Sequence, residues 1–383
     1  MFQPSVIEIS KSALQQNIVF IKAFLNKGVK LSCVVKGNAY GHGIETYIPI
    51  AEEAGVDHFS VFSADEAFRV KQICKTETGV MIMGFIDDAE LEWAIHHQVE
   101  FYVFDNSRLK AAIAAARKLN QKARIHLEVE TGMNRTGYDL KNLKLALDLI
   151  KKNPDCLTVE GMCTHYAGAE SIANYVRVQS QIKKFNQFRK FIEKEGIKPR
   201  RYHTACSAAA ITYPKTQMDM VRVGILQYGF WPTRETYIQY IHKNGEPSLP
   251  LKRILSWKSR VMNVKMIKTG EFIGYGTTYL AQTDKVIATV PIGYALGFSR
   301  NLSNVGRVLV NGMRVSVIGI VNMNVMTIDI TSAGSVKTGD EVVIIGRQGE
   351  LEISVASFSE LSAQVNYETL TGLPSSIPRF IVD

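Results

Sequence analysis

The sequence predicts an α/β fold, a TIM-like (β/α)₈ barrel followed by a mostly β C-terminal domain. From residue 31 to about 230, short apolar runs alternate with longer amphipathic patterns, and beyond about 250 β-branched runs follow one another with little helical periodicity. Eight strands alternating with helices fit a closed barrel better than an open doubly wound sheet. The domain boundaries are expected at 1–240 and 241–383, with the chain up to about residue 10 able to pair with the second domain.

The candidate barrel strands are apolar runs short enough to be buried on both faces. Between them, patterns such as 109–119, 143–150 and 173–191 predict helices. The strand runs lie at 31–35, 58–62, 80–83, 101–104, 125–129, 159–165, 202–206 and 221–226. Polar residues stand at or beyond the carboxyl ends of several runs, where active sites of such barrels lie, namely Lys36, Arg135, His165, Ser207 and Arg222.

Lys36 follows the first of these strands directly and precedes a glycine-rich loop. One interpretation is a solvated strand end with the charge pointing outward. The other is an amine in a dry pocket, where desolvation lowers its pKa and makes it a nucleophile toward carbonyls. The other polar residues at the same barrel end favour the second interpretation.

The second half of the chain reads as strands separated by glycine-containing turns. The runs are 261–266, 286–290, 307–310, 314–320, 325–330 and 341–345, with one helix expected near 354–361. Residues 235–250 are polar and interrupted by Gly245, Pro247 and Pro250, and we interpret them as the crossing between the domains.

Composition excludes several classes of protein. The apolar runs are of strand length, so no membrane span is expected, and the chain start lacks a signal-peptide pattern, which indicates a cytoplasmic protein. Five widely spaced cysteines without a Cys-x-x-Cys pair argue against disulfides and a metal site. The net charge of +9 is spread along the chain, which favours a solvated surface over nucleic-acid binding.

Six motifs occur in order along the chain: VVKGNAYGHG at 34–43, ETGMNRTG at 130–137, THYA at 164–167, VRVGI at 221–225, GYGTTY at 274–279 and PIGY at 291–294. With them the sequence resembles the alanine racemases, enzymes that depend on pyridoxal 5'-phosphate (PLP) and combine a barrel with a β domain. The resemblance covers essentially the whole chain. It implies an isomerase that interconverts L- and D-alanine, with D-alanine supply for the cell wall as the suggested role and a catabolic or D-serine role left open.

The resemblance also implies a two-base mechanism. Lys36 binds PLP covalently and serves one face of the substrate, and Tyr275, delivered by the partner subunit of a homodimer, serves the other. A phenol is a poor base at neutral pH, and His165, supported by Arg222, is the implied means of adjusting it. Because a guanidinium cannot release its proton, Arg222 facing the pyridine nitrogen leaves that nitrogen unprotonated.

The remaining residues implied by the resemblance bind cofactor or substrate. Arg135 is expected near the phenolic oxygen of the cofactor and the substrate carboxylate, which the backbone of Met323 also contacts. The phosphate is expected at Tyr40, Ser207, Gly224 and Ile225, and the entrance at Tyr294 and Arg300.

Two departures from the family pattern affect these expectations. Glu128 stands where many alanine racemases have a carbamylated lysine, so the anionic charge is kept and no carbamate is expected. Ser375 stands at a position where alanine racemases carry a gate tyrosine, although Tyr367 is available to refill the space. The missing ring suggests the alternative of a broad-specificity racemase acting on serine or on lysine and arginine.

Three other functions compete with the racemase interpretation. A PLP-dependent decarboxylase of basic amino acids lacks support because all five cysteines precede residue 207, away from the β domain that would carry its cysteine motif. A non-catalytic PLP-carrier protein would be a single barrel. A nucleic-acid-binding function would rest on charge alone.

Overall fold

The computed structural model describes residues 4–75, 77–244, 249–362 and 365–383. These residues form two compact units. The barrel unit comprises Ser12–Lys36 and Ile48–Arg253, and the β unit comprises the described residues up to Lys11 together with Gly37–Tyr47 and Ile254–Asp383. The first strand, β1 (Ser5–Ser10), belongs to the β unit.

Eight parallel strands form the wall of the barrel unit, as the sequence predicted. They are β2 (Lys30–Val34), β3 (His58–Val61), β4 (Gly79–Ile82), β5 (Glu100–Val103), β6 (Ala123–Glu128), β7 (Leu157–Cys163), β8 (Arg201–His203) and β9 (Met220–Val223). Each of β2 to β7 pairs with its successor, and β9 pairs with β2. The gap between β8 and β9 is bridged by backbone hydrogen bonds of 3.0 Å from Arg222 N–H to the Ala205 carbonyl and from Asp219 N–H to the Tyr202 carbonyl. The sheet is therefore closed, and the carboxyl ends of all eight strands meet at one rim.

Most helices that accompany these strands bury apolar side chains. In Asn106–Leu119, the Asp105 carboxylate caps the first turn by accepting from the N–H groups of Ser107 and Arg108, both at 2.9 Å. Leu109 and Ala112 lie on its buried face. The others are Lys11–Phe24, Ile44–Glu53, Ala64–Ile73, Asp88–His96, Leu140–Lys152, Tyr175–Lys194, Ser207–Thr212 and Arg234–Asn244, with 3₁₀ turns at Ile172–Asn174, Pro214–Thr216 and Ile225–Tyr228.

The β unit contains two sheets. Besides β1, their strands are β10 (Leu255–Arg260), β11 (Asn263–Ile267), β12 (Lys285–Val290), β13 (Arg307–Val310), β14 (Met313–Ser316), β15 (Met326–Asp329), β16 (Glu341–Gln348), β17 (Leu351–Ile353) and β18 (Arg379–Val382). The larger sheet has the order β14–β13–β16–β10–β1–β18, with β17 on β16, and the smaller has the order β11–β12–β15. Helices Val355–Ser362 and Asn366–Thr371 and the 3₁₀ turns Tyr294–Leu296 and Arg300–Leu302 complete the unit.

The segment interpreted as a polar crossing is partly helical. Residues Arg234–Asn244 form a helix, and the boundary between the compact units lies at Arg253 and Ile254. Thr236 and Thr233 form the first turn of this helix through reciprocal hydrogen bonds between their side chains and backbones. The sequence did not predict this helix, because the glycine and prolines further along the segment indicated a turn and the amphipathic pattern of the helix is weak.

The chain leaves Lys36 in a left-handed turn. Gly37, Asn38, Ala39 and Tyr40 have φ of 63°, 54°, 53° and 53°. Successive L-residues in this region cost about 1–2 kcal/mol each, so the turn must be stabilised by its surroundings. Within the β unit, Arg379 Nη2 donates to the Gly41 carbonyl at 2.9 Å, and a Cβ on Gly41 would lie 1.9 Å from the Leu370 carbonyl oxygen.

Replacing Gly41 with alanine tests how tightly this turn is packed. Gly41→Ala is expected to lower the free energy of unfolding by about 3 kcal/mol, because the new methyl overlaps a backbone carbonyl as well as occupying φ +79°. Gly28→Ala is the matched control, since Gly28 has φ +83° with open space around it and should lose only about 1 kcal/mol. Urea unfolding of both variants provides the measurement, and equal losses would contradict the packing argument.

Candidate active site

Lys36 lies at the rim formed by the carboxyl ends of the barrel strands. The preceding strand end is held by two hydrogen bonds to the Val34 carbonyl, from Gln227 Nε2 at 2.7 Å and from the Tyr228 hydroxyl at 2.9 Å. The Lys36 side chain is exposed overall. Nevertheless, partial desolvation by the surrounding protein lowers the pKa of its amine, and the positive charge of Arg135 lowers it further. A larger fraction of neutral amine, the nucleophilic form, is therefore present than for an ordinary lysine.

His165 follows β7 at the same rim. Burial lowers its pKa to about 3, and the charges of Arg222, Arg135 and Lys36 act in the same direction. The imidazole is therefore neutral at physiological pH. The mutual effects on pKa place Lys36, Arg135, His165 and Arg222 within one electrostatic environment, as expected from their strand-end positions.

Arg222 lies on β9 with its guanidinium inside the barrel, 5% exposed. Its Nη1 donates to the His203 carbonyl at 2.8 Å and to His203 Nδ1 at 2.6 Å, and its Nη2 donates to the Thr164 carbonyl at 2.8 Å. A buried guanidinium has only donors, and here neutral acceptors receive them. Arg222 therefore keeps its full positive charge inside the barrel.

The residues expected to bind phosphate on the barrel unit are adjacent. Ser207 begins the helix Ser207–Thr212, and its Oγ accepts from the Gly224 N–H at 2.9 Å. Ile225 begins the 3₁₀ turn Ile225–Tyr228, whose first N–H groups have no acceptor within the turn. All three residues are buried. A hydroxyl and backbone N–H groups are a donor set suited to a dianion.

Glu128 ends β6 and is buried. Burial raises the pKa of its carboxyl, while a hydrogen bond with Thr136 and the charges of Arg135 and Arg222 oppose that shift. The acidic group thus lies within electrostatic reach of Arg135. This is the arrangement expected if Glu128 supplies the counter-charge of Arg135.

Four of the expected site residues lie in exposed parts of the β unit. Tyr275 is 72% exposed between Gly274 and Gly276. Tyr294 and Met323 are brought together, because the Tyr294 N–H donates to the Asn322 carbonyl and the Ala295 N–H to the Met323 carbonyl, at 3.1 and 3.0 Å. Ser375 is exposed.

Tyr40 also belongs to the β unit and is buried. Its ring packs against that of Tyr367, with centroids 5.9 Å apart. The ring beside Tyr40, the tyrosine expected to bind phosphate, therefore belongs to Tyr367. Residue 375 is a serine and contributes no ring.

Comparison with known proteins identifies the family. The model of the alanine racemase N-terminal domain matches residues 9–232, and that of the alanine racemase C-terminal domain matches residues 254–381. The chain belongs to the alanine racemase family. Alanine racemases depend on PLP, and the expected barrel with a mostly β C-terminal domain is confirmed.

Relatives and solved structures cover the chain almost completely. The alanine racemase of Leptospira interrogans is 33% identical over 99% of this chain and 96% of its own length. Alanine racemase 2 of Bacillus subtilis is 34% identical over 98% of this chain and 94% of its own length. The crystal structure of alanine racemase from Bacillus anthracis with bound L-Ala-P aligns with a TM-score of 0.91 at 32% identity, covering 100% of this chain and 96% of that one.

Sequence reasoning missed the polar side chains beneath the rim. Glu100, His126 and His203 lie inside the barrel on β5, β6 and β8. The available signal was an ionisable residue within an apolar strand run, which is costly to bury unless it is paired.

Among the described residues, every helix is too short or too polar to span a membrane. The same residues contain no group of three or more His, Cys, Asp or Glu side chains that could hold a metal ion. All five cysteines are free thiols.

The effect of Arg135 on Lys36 is testable without any substrate. Removing the positive charge in Arg135→Gln should raise the pKa of the Lys36 amine and so reduce its neutral fraction at about pH 8, slowing its acetylation several-fold. Arg177→Gln is the matched control, because exposed Arg177 contacts the same loop at the Gly132 carbonyl. Competitive acetylation of the ligand-free proteins, quantified by mass spectrometry of the Lys36 peptide, provides the measurement. Equal rates in the two variants would contradict the assigned coupling.

Proposed function

We propose that this chain racemises alanine with PLP bound covalently through Lys36, using Lys36 and Tyr275 as the two bases. The observation that carries the proposal is the Lys36 amine, whose pKa is lowered beside Arg135 at the barrel rim. It occurs in a chain that matches alanine racemases over both domains. Because the named relatives are alanine racemases, alanine is favoured over the broader specificity that Ser375 suggested.

The barrel residues fit PLP in their chemistry. Lys36 offers a nucleophilic amine for the aldehyde, and the Ser207 hydroxyl and the Ile225 N–H offer donors for a phosphate dianion. The Gly224 N–H donates to Ser207 Oγ in this structure and would have to turn to the phosphate to join them. Tyr40 would add its hydroxyl. When bound, PLP supplies the electron sink that stabilises the carbanion at the substrate Cα.

The two bases would act on opposite faces of the substrate. Lys36 would take and return the proton on one face. Tyr275 of a second subunit would do so on the other, and its 72% exposure leaves its ring available to a partner. A phenol with an ordinary pKa of about 10 needs assistance at neutral pH. Neutral His165 would supply an acceptor for the phenolic proton without adding positive charge.

The arginines would bind and orient. Arg222 would donate to the cofactor ring nitrogen and leave it unprotonated, because a guanidinium cannot give up its proton. This weakens the electron sink and disfavours transamination relative to proton return. Arg135, with Glu128 as its counter-charge, would bind the substrate carboxylate together with the Met323 backbone, while Tyr294, Arg300 and Ser375 would line the entrance.

The proposal includes a cellular location for the enzyme. Five free cysteines fit a reducing compartment, so we place the enzyme in the cytoplasm. There it would supply D-alanine for the cell wall.

Exchange of the substrate α-proton for deuterium tests the function directly. PLP-loaded protein is expected to exchange and racemise alanine, with kcat/KM for serine and lysine lower by about tenfold or more. Lys36→Ala should abolish exchange because it removes both the cofactor attachment and one base. NMR of each L-amino acid in D₂O provides the measurement.

Comparable exchange of serine or lysine would instead support the broader specificity. No exchange of alanine by fully loaded protein would refute the racemase proposal.

Subunit mixing tests whether Tyr275 acts across the dimer. Lys36→Ala and Tyr275→Phe should each be inactive alone. An equal mixture refolded together should recover about a quarter of wild-type activity, since half of the dimers are mixed and each has one complete site. Native mass spectrometry of the same mixture measures the fraction of mixed dimers, because the two variant subunits differ in mass. No recovery in a mixture that has demonstrably exchanged subunits would show that both bases come from one chain.

A further inference from the structure

A row of polar side chains runs through the interior of the barrel unit and ends at Arg222. Glu100 Oε2 lies 2.7 Å from His126 Nε2, His126 Nδ1 lies 2.8 Å from His203 Nε2, and His203 Nδ1 lies 2.6 Å from Arg222 Nη1. Glu100 is 1% exposed, and both histidines are completely buried. The roles proposed above use only Arg222, at one end of this row.

The guanidinium fixes every proton along the row. Arg222 can only donate, so His203 Nδ1 must be the acceptor and the His203 proton lies on Nε2. That proton is donated to His126 Nδ1, which places the His126 proton on Nε2, where it is donated to the Glu100 carboxylate. A protonated His126 would force His203 to accept at both nitrogens, which a neutral imidazole cannot do. The geometry therefore admits one arrangement, with two neutral histidines between a cation and an anion.

The two ends of the row are electrostatically consistent with this arrangement. Burial and the positive charge of Arg222 lower the pKa of His203, which keeps it neutral. Burial alone would raise the pKa of Glu100, but hydrogen bonds from His126 and His58 hold it well below its usual range. Arg124 Nη2 donates to Glu100 Oε1 at 2.7 Å, so the carboxylate stays ionised inside the barrel.

Gly161 on β7 keeps space open for the central hydrogen bond. A Cβ at this position would lie 2.2 Å from His126 Nδ1 and 2.9 Å from His203 Nε2. Any side chain at residue 161 would therefore displace one of the two rings. The row thus depends on the backbone of a third strand as well as on its own side chains.

We propose that Glu100, His126 and His203 are positioning residues for the racemase reaction, which hold Arg222 in place as a donor toward the cofactor ring nitrogen. This inference rests on the proposed function, because it concerns how Arg222 meets that nitrogen. No proton moves along the row during turnover. Its effect is to leave the Arg222 charge and direction fixed, so that the ring nitrogen stays unprotonated.

The decisive comparison replaces, one at a time, the two histidines that form hydrogen bonds with Glu100. His126→Leu cuts the row. His58→Leu is the matched control, because His58 is equally buried and bonds Glu100 at 3.4 Å but leads to Ser32 instead of Arg222. His126→Gln is the conservative variant, since an amide offers one acceptor and one donor side. Gly161→Ala tests the same break with every polar group retained.

The first readout is the position of the histidine protons in protein free of cofactor. In ¹⁵N-histidine spectra, His203 should carry its proton on Nε2 in wild type and in His58→Leu. In His126→Leu and in Gly161→Ala the Nε2 proton loses its acceptor and the ring is no longer held against Arg222, so a mixture of tautomers should replace the single state. The signal is assigned by its absence in His203→Gln. A wild-type His203 protonated at Nδ1 would overturn the inference, even if none of the variants folds.

The second readout is the fate of the substrate in loaded enzyme. If the ring nitrogen gained a proton from solvent, transamination would compete better. The alanine amino group would then pass to the cofactor, which would leave as its pyridoxamine form, and water would supply the carbonyl oxygen of the released pyruvate, so fresh PLP is included in the assay. Pyruvate formed per racemisation event should rise about tenfold in His126→Leu, the equivalent of one net hydrogen bond, stay near wild type in His58→Leu and be largely restored in His126→Gln. Coupling to lactate dehydrogenase measures the pyruvate.

Equal amounts of pyruvate per racemisation event in His126→Leu and His58→Leu would show that the row contributes only to core packing, and would overturn the inference. Failure of the proposed function is distinguishable from this outcome. In that case wild-type protein would not racemise alanine at all, while the histidine spectra would still test the row.

Discussion

Arg222 is the buried cation on which the organisation of the barrel rim depends. A guanidinium inside a protein must find an acceptor for its donors, and the carbonyls of Thr164, His203 and Thr204 supply them from the ends of β7 and β8. The same residue bridges to Cys206 where the sheet closes. Arg222 therefore places a positive charge inside the barrel, holds the ends of β7 and β8 through its side chain and helps to close the sheet through its backbone. Burial lowers the pKa of the neighbouring His165, and the Arg222 charge lowers it further.

The backbone that follows Lys36 is strained. It passes through a left-handed turn that includes Ala39 and Tyr40, residue types that rarely adopt this conformation. The His42 ring supports the turn by bonding the carbonyls of Ala39 and Tyr40 at 2.9 Å, and burial lowers the His42 pKa to about 4, so the neutral ring donates there. The strain fixes where the chain goes immediately after the lysine, and a flexible loop would not do so.

The sequence allowed the barrel to be predicted strand by strand because its strands are buried on both faces and read as continuous apolar runs. The sequence indicated that residues up to about 10 can pair with the second domain, but their partner strands at 255–260 and 379–382 were not recognised. In β10, Lys258 and Arg260 interrupt the apolar pattern, and β1 and β18 form a sheet only by pairing segments from opposite ends of the chain. Long-range pairing leaves no local signal, so these strands required the structure.

Some residues of the candidate site could likewise be predicted from the sequence, and others could not. Lys36, Arg135, His165 and Arg222 follow or occupy predicted strands, so their convergence was predictable from topology. Tyr40, Tyr275, Tyr294, Met323 and Ser375 came from the family resemblance alone, since nothing in their local sequence marks them. Glu100, His126 and His203 were overlooked because a single polar residue in an apolar run does not reveal its partner, which here lies on another strand.

The contact between Tyr40 and Tyr367 bears on how a small residue can stand at position 375. Removing an aromatic ring enlarges a pocket only if no other side chain occupies the space. A bulky side chain excludes larger substrates regardless of its position in the sequence. In the β unit the Tyr367 ring lies 5.9 Å from that of Tyr40, whereas Ser375 is exposed. Aromatic surface beside Tyr40 thus does not require a tyrosine at residue 375. The proposed specificity for alanine is therefore compatible with serine at position 375.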